Sequence, residues 1–294
     1  MNRNQVTTPW LSPSVTTGHG ALKDRTVLVT GAGRNIGRAI ALRCGAEGAR
    51  VAVNDIDAEA AAAVVTELRA AGVAAYLAGG DMSDFAEVDR AFDETENALG
   101  IVEVLVNNAY ARSGETVWRN FLSVGPSDWE LFVGKNMNMF YGCTQRAARR
   151  LAANGQKGSI VNISSIGAER AHRRSIPYDS VKGAMESFTR AVAIDLAPWN
   201  IRINAIRPGA IAVDGEPAHT EDPRAAQIPL GRRGAPEDVA AAVVFLASAE
   251  SAYVTGQIFN IDGGMMAQAR APQVEAQPVI HPGNASPIHP TLLH

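Results

Sequence analysis

The chain is poor in cysteine. Two thiols, Cys44 and Cys143, in 294 residues exclude a disulfide-braced scaffold. Both fall in stretches of helical patterning, so reduced, packed side chains and a cytoplasmic setting are the expectation. No apolar run is long enough to span a bilayer. The first residues lack the basic, apolar, small-residue order of a secretory leader. A dominant charge is missing too: 27 Lys and Arg against 30 Asp and Glu leave −3, giving no electrostatic reason to expect nucleic acid or an anionic membrane as partner. No repeat of solenoid period is visible. What remains is a chain 46% hydrophobic and 19% charged, the balance of an ordinary globular protein with a sizeable core.

Short β-branched runs alternate with longer Ala-rich amphipathic segments. Strands are expected near Thr26 and at 51–54, 73–78, 102–106, 159–162, 201–206 and 257–261. Helices are expected at 36–47, 58–71, 85–99, 128–152, 178–197 and 236–247. This rhythm predicts an α/β fold: a single doubly wound parallel sheet of about seven strands with helices on both faces. The periodic region spans 22–266. Residues 1–21 read as a flexible extension, and 267–294 as a tail containing several prolines and His281, His289 and His294. Those histidines lack carboxylate or cysteine partners at ligand spacing, so no metal site is expected.

Residues 30–37, Thr-Gly-Ala-Gly-Arg-Asn-Ile-Gly, join the apolar run Val27-Leu28-Val29 to the first helix. A strand that turns through glycines into a helix N-terminus cradles phosphate. Glycine lets backbone approach a pyrophosphate, and the unpaired N–H groups of the first turn face it. Roughly twenty positions on, Asp55 ends the second strand, where a carboxylate accepts hydrogen bonds from an adenine-ribose diol. Together these predict a Rossmann-type dinucleotide site.

The second half carries reactive groups. Tyr178 and Lys182, four apart at the start of a helix, share a face. A tyrosine hydroxyl titrates near ~10, and a neighbouring cation favours the phenolate, so proton exchange near neutral pH is expected. Alone, the spacing also suits a solvated helix face. Ser164 and Ser165 end a predicted strand, at the carboxyl edge where open parallel sheets bind ligands.

With these pieces in view, residues 22 to 266 resemble the short-chain dehydrogenase/reductase family. The matching pieces are the 30–37 loop, Asp81-Met82, Asn107-Asn108-Ala109, Asn136, Ile163-Ser164-Ser165, Tyr178 with Lys182, Asn204, Pro208-Gly209 and Asp262-Gly263-Gly264. The family's serine stands thirteen residues before its tyrosine, which selects Ser165. The resemblance implies hydride exchange between a nicotinamide dinucleotide and an alcohol or ketone. Tyr178 would be the general acid/base, Lys182 would stabilise the phenolate and hold the nicotinamide ribose, and Ser165 would bond the reacting oxygen. Asn136 would hold a water that links Lys182 to solvent. The cofactor would lie on Gly31, Arg34, Asn35, Ile36, Gly37, Asp55, Asp81, Met82, Asn108, Pro208, Gly209 and Ile211, as well as on Tyr178 and Lys182.

Three positions depart from the pattern. Asn35 replaces a loop glycine, and asparagine tolerates left-handed backbone. Tyr110 replaces the glycine after Asn-Asn-Ala and brings a ring to the mouth. Val213 replaces a threonine that contacts the nicotinamide amide, which leaves the backbone of Ile211 to serve. Asp55 favours NAD over NADP, since a carboxylate repels a 2′-phosphate. Arg34 pulls the other way unless it pairs with an aspartate. The alternatives are an NADPH-dependent carbonyl or acyl-thioester reductase, and a dinucleotide-binding regulator without turnover. The retained Ser165, Tyr178, Lys182 and Asn136 argue against the regulator.

Substrate contacts are expected from 110–125, from the loop between Ser165 and Tyr178, and from 212–230, which with Gly215, Pro217 and Pro223 reads as a lid. Arg170, Arg173 and Arg174, with Arg112 opposite, suggest a small polar substrate: a sugar, sugar acid or hydroxy acid. An apolar stripe at Val181, Ala184, Phe188, Ala191 and Val192, with the closing segment 257–266, suggests a homotetramer of two-fold interfaces.

Overall fold

A computed structural model describes residues 20–111, 119–213 and 224–270. Seven strands, β1 (Thr26–Val29), β2 (Arg50–Val53), β3 (Ala75–Leu77), β4 (Val104–Asn107), β5 (Gly158–Ile163), β6 (Ile201–Pro208) and β7 (Ile258–Ile261), form one sheet in the order β3-β2-β1-β4-β5-β6-β7. Every pairing is parallel. Six helices connect them: α1 (Asn35–Ala46), α2 (Ala58–Ala70), α3 (Phe85–Leu99), α4 (Pro126–Ala153), α5 (Ile176–Leu196) and α6 (Pro236–Ala247).

Parallel strands covered on both faces must be apolar on both, and β1 is buried at every residue. Its side chains alternate between two cores. Val27 and Val29 pack with Ile40, Cys44, Leu68 and Val243 on the α1, α2 and α6 side. Leu28 packs with Phe92, Cys143, Leu151 and Ala193 on the α3, α4 and α5 side. Cys44 and Cys143 are free thiols inside these cores, and burial pushes both up to about 12.

The expected elements are all present, with shifted ends. β3 starts at Ala75 because Gly72, at φ 79°, closes the preceding helix and Val73 N–H still bonds back to the Leu68 carbonyl. Helices α4 and α5 each begin two residues early, with Pro126 and Pro177 in their first turns, where proline forfeits no hydrogen bond. Most of the N-terminal extension, most of the tail and residues 214–223 of the expected lid lie outside the described residues.

Succession along the sheet reverses between β1 and β4, the switch point at which such sheets open a crevice at their carboxyl ends. The strand ends there lead into the glycine loop, Asp55, Asn107-Asn108, Ser164-Ser165 and Pro208-Gly209.

Candidate active site

The crevice divides into two adjoining clefts. The first, about 690 Å³, is lined by the glycine loop, Asp55, Asp81, Met82 and Lys135. Gly31 has φ 60° and Asn35 φ 49°, so asparagine does adopt the left-handed backbone its family position requires. A Cβ on Gly31 would lie 2.8 Å from the Cα of Ala109, and one on Gly37 would lie 2.1 Å from the Gly31 carbonyl oxygen. The Asn108 amide locks this approach by donating to the carbonyls of Thr30 (3.0 Å) and Gly31 (2.9 Å). No side chain caps α1, so its first N–H groups are turned to the cleft. Asp55 accepts from the Gly33 N–H at 2.9 Å and the Asp57 N–H at 3.0 Å. Burial raises the Asp81 carboxyl, but bonds from the Ser83 N–H and hydroxyl and the nearby Lys135 outweigh it, leaving the group below its ordinary value. An uncapped helix end, a cradle that any Cβ would fill and a carboxylate at the far rim fit a dinucleotide.

Arg34 does pair with an aspartate: its guanidinium meets Asp57 at 2.6 Å.

The second cleft, about 770 Å³, contains Ser165, Tyr178 and Lys182. β5 delivers the two serines with opposite aims. Ser164 Oγ donates to Glu186 at 2.8 Å beneath α5. Ser165 accepts from the Gly167 N–H at 3.1 Å and lines the cleft with Tyr178, whose hydroxyl it favours in the ionised form, whereas Ser164 lines it from beneath α5. Lys182, 5% exposed, donates to the Ile163 carbonyl at 2.7 Å, and its Nζ lies 5.7 Å from the centre of the Tyr178 ring. Burial pushes the ammonium down to about 8.

Around Tyr178 burial works against the shift that a neighbouring cation gives. Burial raises the Tyr178 hydroxyl above its ordinary value; the nearby Ser165 hydroxyl opposes this, and the Asp179 charge adds to it. Lys182, lowered only to about 8, is still largely cationic at neutral pH, but burial is the largest influence on Tyr178.

Other expectations fare unevenly. Asn136 Oδ1 accepts from the Ala111 N–H at 3.0 Å, while its Nδ2 donates to the carbonyls of Ala111 (3.2 Å) and Phe132 (2.9 Å). Its described bonds thus clamp backbone, and none reaches Lys182. Gly209 lets the chain pass Asp262, whose Cα a Cβ there would meet at 2.7 Å. The carbonyl of Ile211 already accepts from Arg233 at 2.6 Å, which narrows what its backbone can offer a ligand. Val213 lines the cleft beside it.

The arginine rim is also corrected. Arg170 bonds the carbonyls of Met265 and Gln268, and neither Arg173 nor Arg174 lines the cleft. Arg112 lies outside the described residues. Among the described residues the cleft is lined by Arg224 and Arg233, together with His172. His172 and Arg224 fall in two of the segments expected to meet substrate, the loop between Ser165 and Tyr178 and 212–230, whereas nothing in the sequence marked Arg233.

Fold and site together define a nucleotide-dependent oxidoreductase. Residues 31–266 match the family model described as enoyl-(acyl carrier protein) reductase, and the chain belongs to the short-chain dehydrogenase/reductase family, whose members exchange CH–OH and carbonyl groups. It is 37% identical over 253 residues to L-rhamnose 1-dehydrogenase (NAD(P)(+)) of Azotobacter vinelandii, covering 83% of this chain and 97% of that one. A 3-oxoacyl-[acyl-carrier-protein] reductase of Synechocystis is 37% identical over 248 residues, covering 84% and 98%. A crystal structure of a protein named as a candidate gluconate dehydrogenase from Agrobacterium tumefaciens superposes with a TM-score of 0.77 at 33% identity, covering 84% and 98%.

Proposed function

We propose that this enzyme is an NAD-preferring dehydrogenase that interconverts a secondary alcohol and a ketone on a small polar substrate, a sugar, sugar acid or hydroxy acid. The observation that carries the reading is the meeting of Ser165, Tyr178 and Lys182 in one cleft, with the Lys182 Nζ 5.7 Å from the Tyr178 ring centre, beside a second cleft that ends in the Asp55 carboxylate. Ser165 donates to the reacting oxygen. Tyr178 takes the alcohol proton in oxidation and returns it in reduction. Lys182 holds the nicotinamide ribose, and Asn136 positions the chain and a water on the proton path. A bound nicotinamide supplies the hydride acceptor or donor. The first turn of α1 receives the pyrophosphate, Asp55 the adenine ribose, Asp81 and Met82 the adenine end, and the Pro208–Ile211 segment the nicotinamide end.

NAD is preferred because the Asp55 carboxylate at the rim of the cofactor cleft repels a 2′-phosphate, and Arg34 is engaged by Asp57. The names of two relatives, a rhamnose and a gluconate dehydrogenase, support the polar substrate class. A second reading, an NADPH-dependent acyl-thioester reductase, is favoured by the Synechocystis relative. A panel decides: L-rhamnose, D-gluconate and other polyols and hydroxy acids with NAD or NADP, against acetoacetyl thioester with NADPH, all followed at 340 nm. NADH formation from a polyol supports the first reading. Faster thioester reduction with NADPH overturns it.

The assembly is a homotetramer. Phe188 and Val192 on α5 line an open groove with Tyr141 and Trp199, about 320 Å³ in volume, and Ile194 beside it is 75% exposed. Such a face suits two-fold helix pairing. A monomer mass by light scattering at micromolar concentration would end this reading. The two buried thiols fit a reducing cytoplasm.

A further inference from the structure

The catalytic cleft contains a polar pair for which hydride transfer has no use. His172 lies in the loop between Ser165 and α5, and Asp179 directly follows the catalytic tyrosine. The Asp179 carboxylate accepts twice from His172: from the backbone N–H at 2.7 Å and from the ring Nδ1 at 2.9 Å. An ionised carboxylate can only accept, so Nδ1 carries the hydrogen, and a neutral imidazole then presents Nε2 as an acceptor. Among the described residues nothing hydrogen-bonds Nε2. The ring lines the same cleft as Ser165 and Lys182, 6.4 Å from the Tyr178 ring between centroids.

The chain makes room for this pair. A Cβ on Gly167 would lie 2.1 Å from Asp179 Oδ1 and 2.9 Å from His172 Nδ1. Only glycine at 167 lets the carboxylate and imidazole close on each other against the turn that follows Ser165. The loop backbone is fixed as well, because the His172 N–H is one of the two donors. The imidazole is therefore held in one tautomer and one orientation, as a recognition group must be.

We propose that His172, oriented by Asp179, determines substrate specificity: its Nε2 accepts a hydrogen bond from a second hydroxyl, on the carbon next to the one that reacts. The preferred substrates are vicinal diols, the pattern of sugars and polyols. With Tyr178 and Ser165 on the reacting oxygen, each hydrogen bond spans about 2.8 Å, so the second hydroxyl must be close to the first. The proposal rests on the hydride-transfer reading above and deepens it by naming the substrate feature recognised. A site that bonds a substrate hydroxyl discriminates against the analogue lacking it, because its own polar group is then left unpaired.

The experiment compares kcat/KM with NAD for two pairs of probes, butane-2,3-diol (all stereoisomers) against butan-2-ol and cyclohexane-1,2-diol against cyclohexanol. Wild type, His172→Ala and His172→Gln are measured. In wild type the better diol isomer is expected to exceed its mono-alcohol by about 10-fold or more, the worth of one good hydrogen bond. His172→Ala should bring the quotient to within about threefold of unity. His172→Gln can donate to Asp179 through its amide and still offer a carbonyl oxygen, so it should restore part of the preference. If His172→Ala keeps the wild-type quotient, or lowers both efficiencies by the same factor, the specificity role is overturned while the dehydrogenase reading stands. No diol preference in wild type, including no turnover of either diol, overturns it as well. No turnover of any alcohol, in these pairs or in the polyol panel, removes the dehydrogenase reading itself and this proposal with it.

Discussion

Tyr110 meets Tyr178 edge to face, with ring centroids 5.2 Å apart and an interplanar angle of 86°. The family's glycine would leave that side of the tyrosine open. Tyr110 also packs edge to face on Phe132 at 5.8 Å, and Lys182 Nζ sits 6.0 Å from its ring centre. It thus walls the junction of the two clefts and packs on the Tyr178 ring. Such pairs contribute about 0.5–1.5 kcal/mol each beyond area burial. Tyr110→Ala should lower stability by about 1–3 kcal/mol and turnover by about 10-fold. Unchanged turnover in a folded variant would show that the ring does not position Tyr178.

Removing the phenol oxygen tests the acid/base directly. Tyr178→Phe should bind NADH with near-normal affinity and lose at least ~100-fold in turnover. Because burial raises the hydroxyl, oxidation, which needs it deprotonated, should accelerate as pH rises into the alkaline range, while ketone reduction should decline. Near wild-type turnover, or the opposite pH trend, contradicts the assignment.

Cofactor choice is expected to turn on Asp55. Asp55→Ser should narrow the preference for NAD over NADP by about 10- to 100-fold in kcat/KM, as carboxylate–phosphate repulsion is removed. Higher wild-type efficiency with NADP would refute this account of the rim.

Lys182 links stability to pH. Its folded value of about 8 lies below the ordinary 10.5, so between these limits the unfolded chain binds more protons and stability rises with pH. The burial penalty is complete below pH ~8 and gone above ~10.5, in total about 3 kcal/mol at ~1.36 kcal/mol per pH unit. Wild type should therefore gain stability relative to Lys182→Met across that window, a comparison that cancels the groups common to both. A difference in melting temperature that stays flat from pH 7.5 to 10.5 would contradict it.

Beneath the site, Arg207 and Glu186 form a buried bidentate pair at 2.9 and 2.6 Å, and Ser164 donates to the same carboxylate. Glu169 and Asn260 also contact the guanidinium. Glu186→Ala leaves this cation short of its main partner and should cost about 3 kcal/mol in denaturant unfolding. A loss below about 1 kcal/mol would mean that Glu169 compensates fully.

What was legible in the sequence follows rules that act over a few residues. Val27, Leu28 and Val29 alternate between two cores because the strand period is two. Gly31 and Asn35 announce a left-handed turn because backbone sterics admit few other residues. Tyr178 and Lys182 share a face because one helical turn separates them. None of these depends on what lies across the molecule. The destinations of long polar side chains do. Arg170, which looked like a substrate clasp, reaches the carbonyls of Met265 and Gln268, nearly a hundred residues away in sequence. Arg224 comes from the segment that reads as a lid, but Arg233 enters the cleft from a stretch that nothing in the sequence marked. His172 and Asp179 meet only because Gly167 leaves the space between them. Burial likewise moved Tyr178 and Lys182 in directions that their spacing alone did not foretell. Spacing along a chain determines which groups share an element. Only the packed structure decides which groups lose water, and that loss sets their charge and their partners.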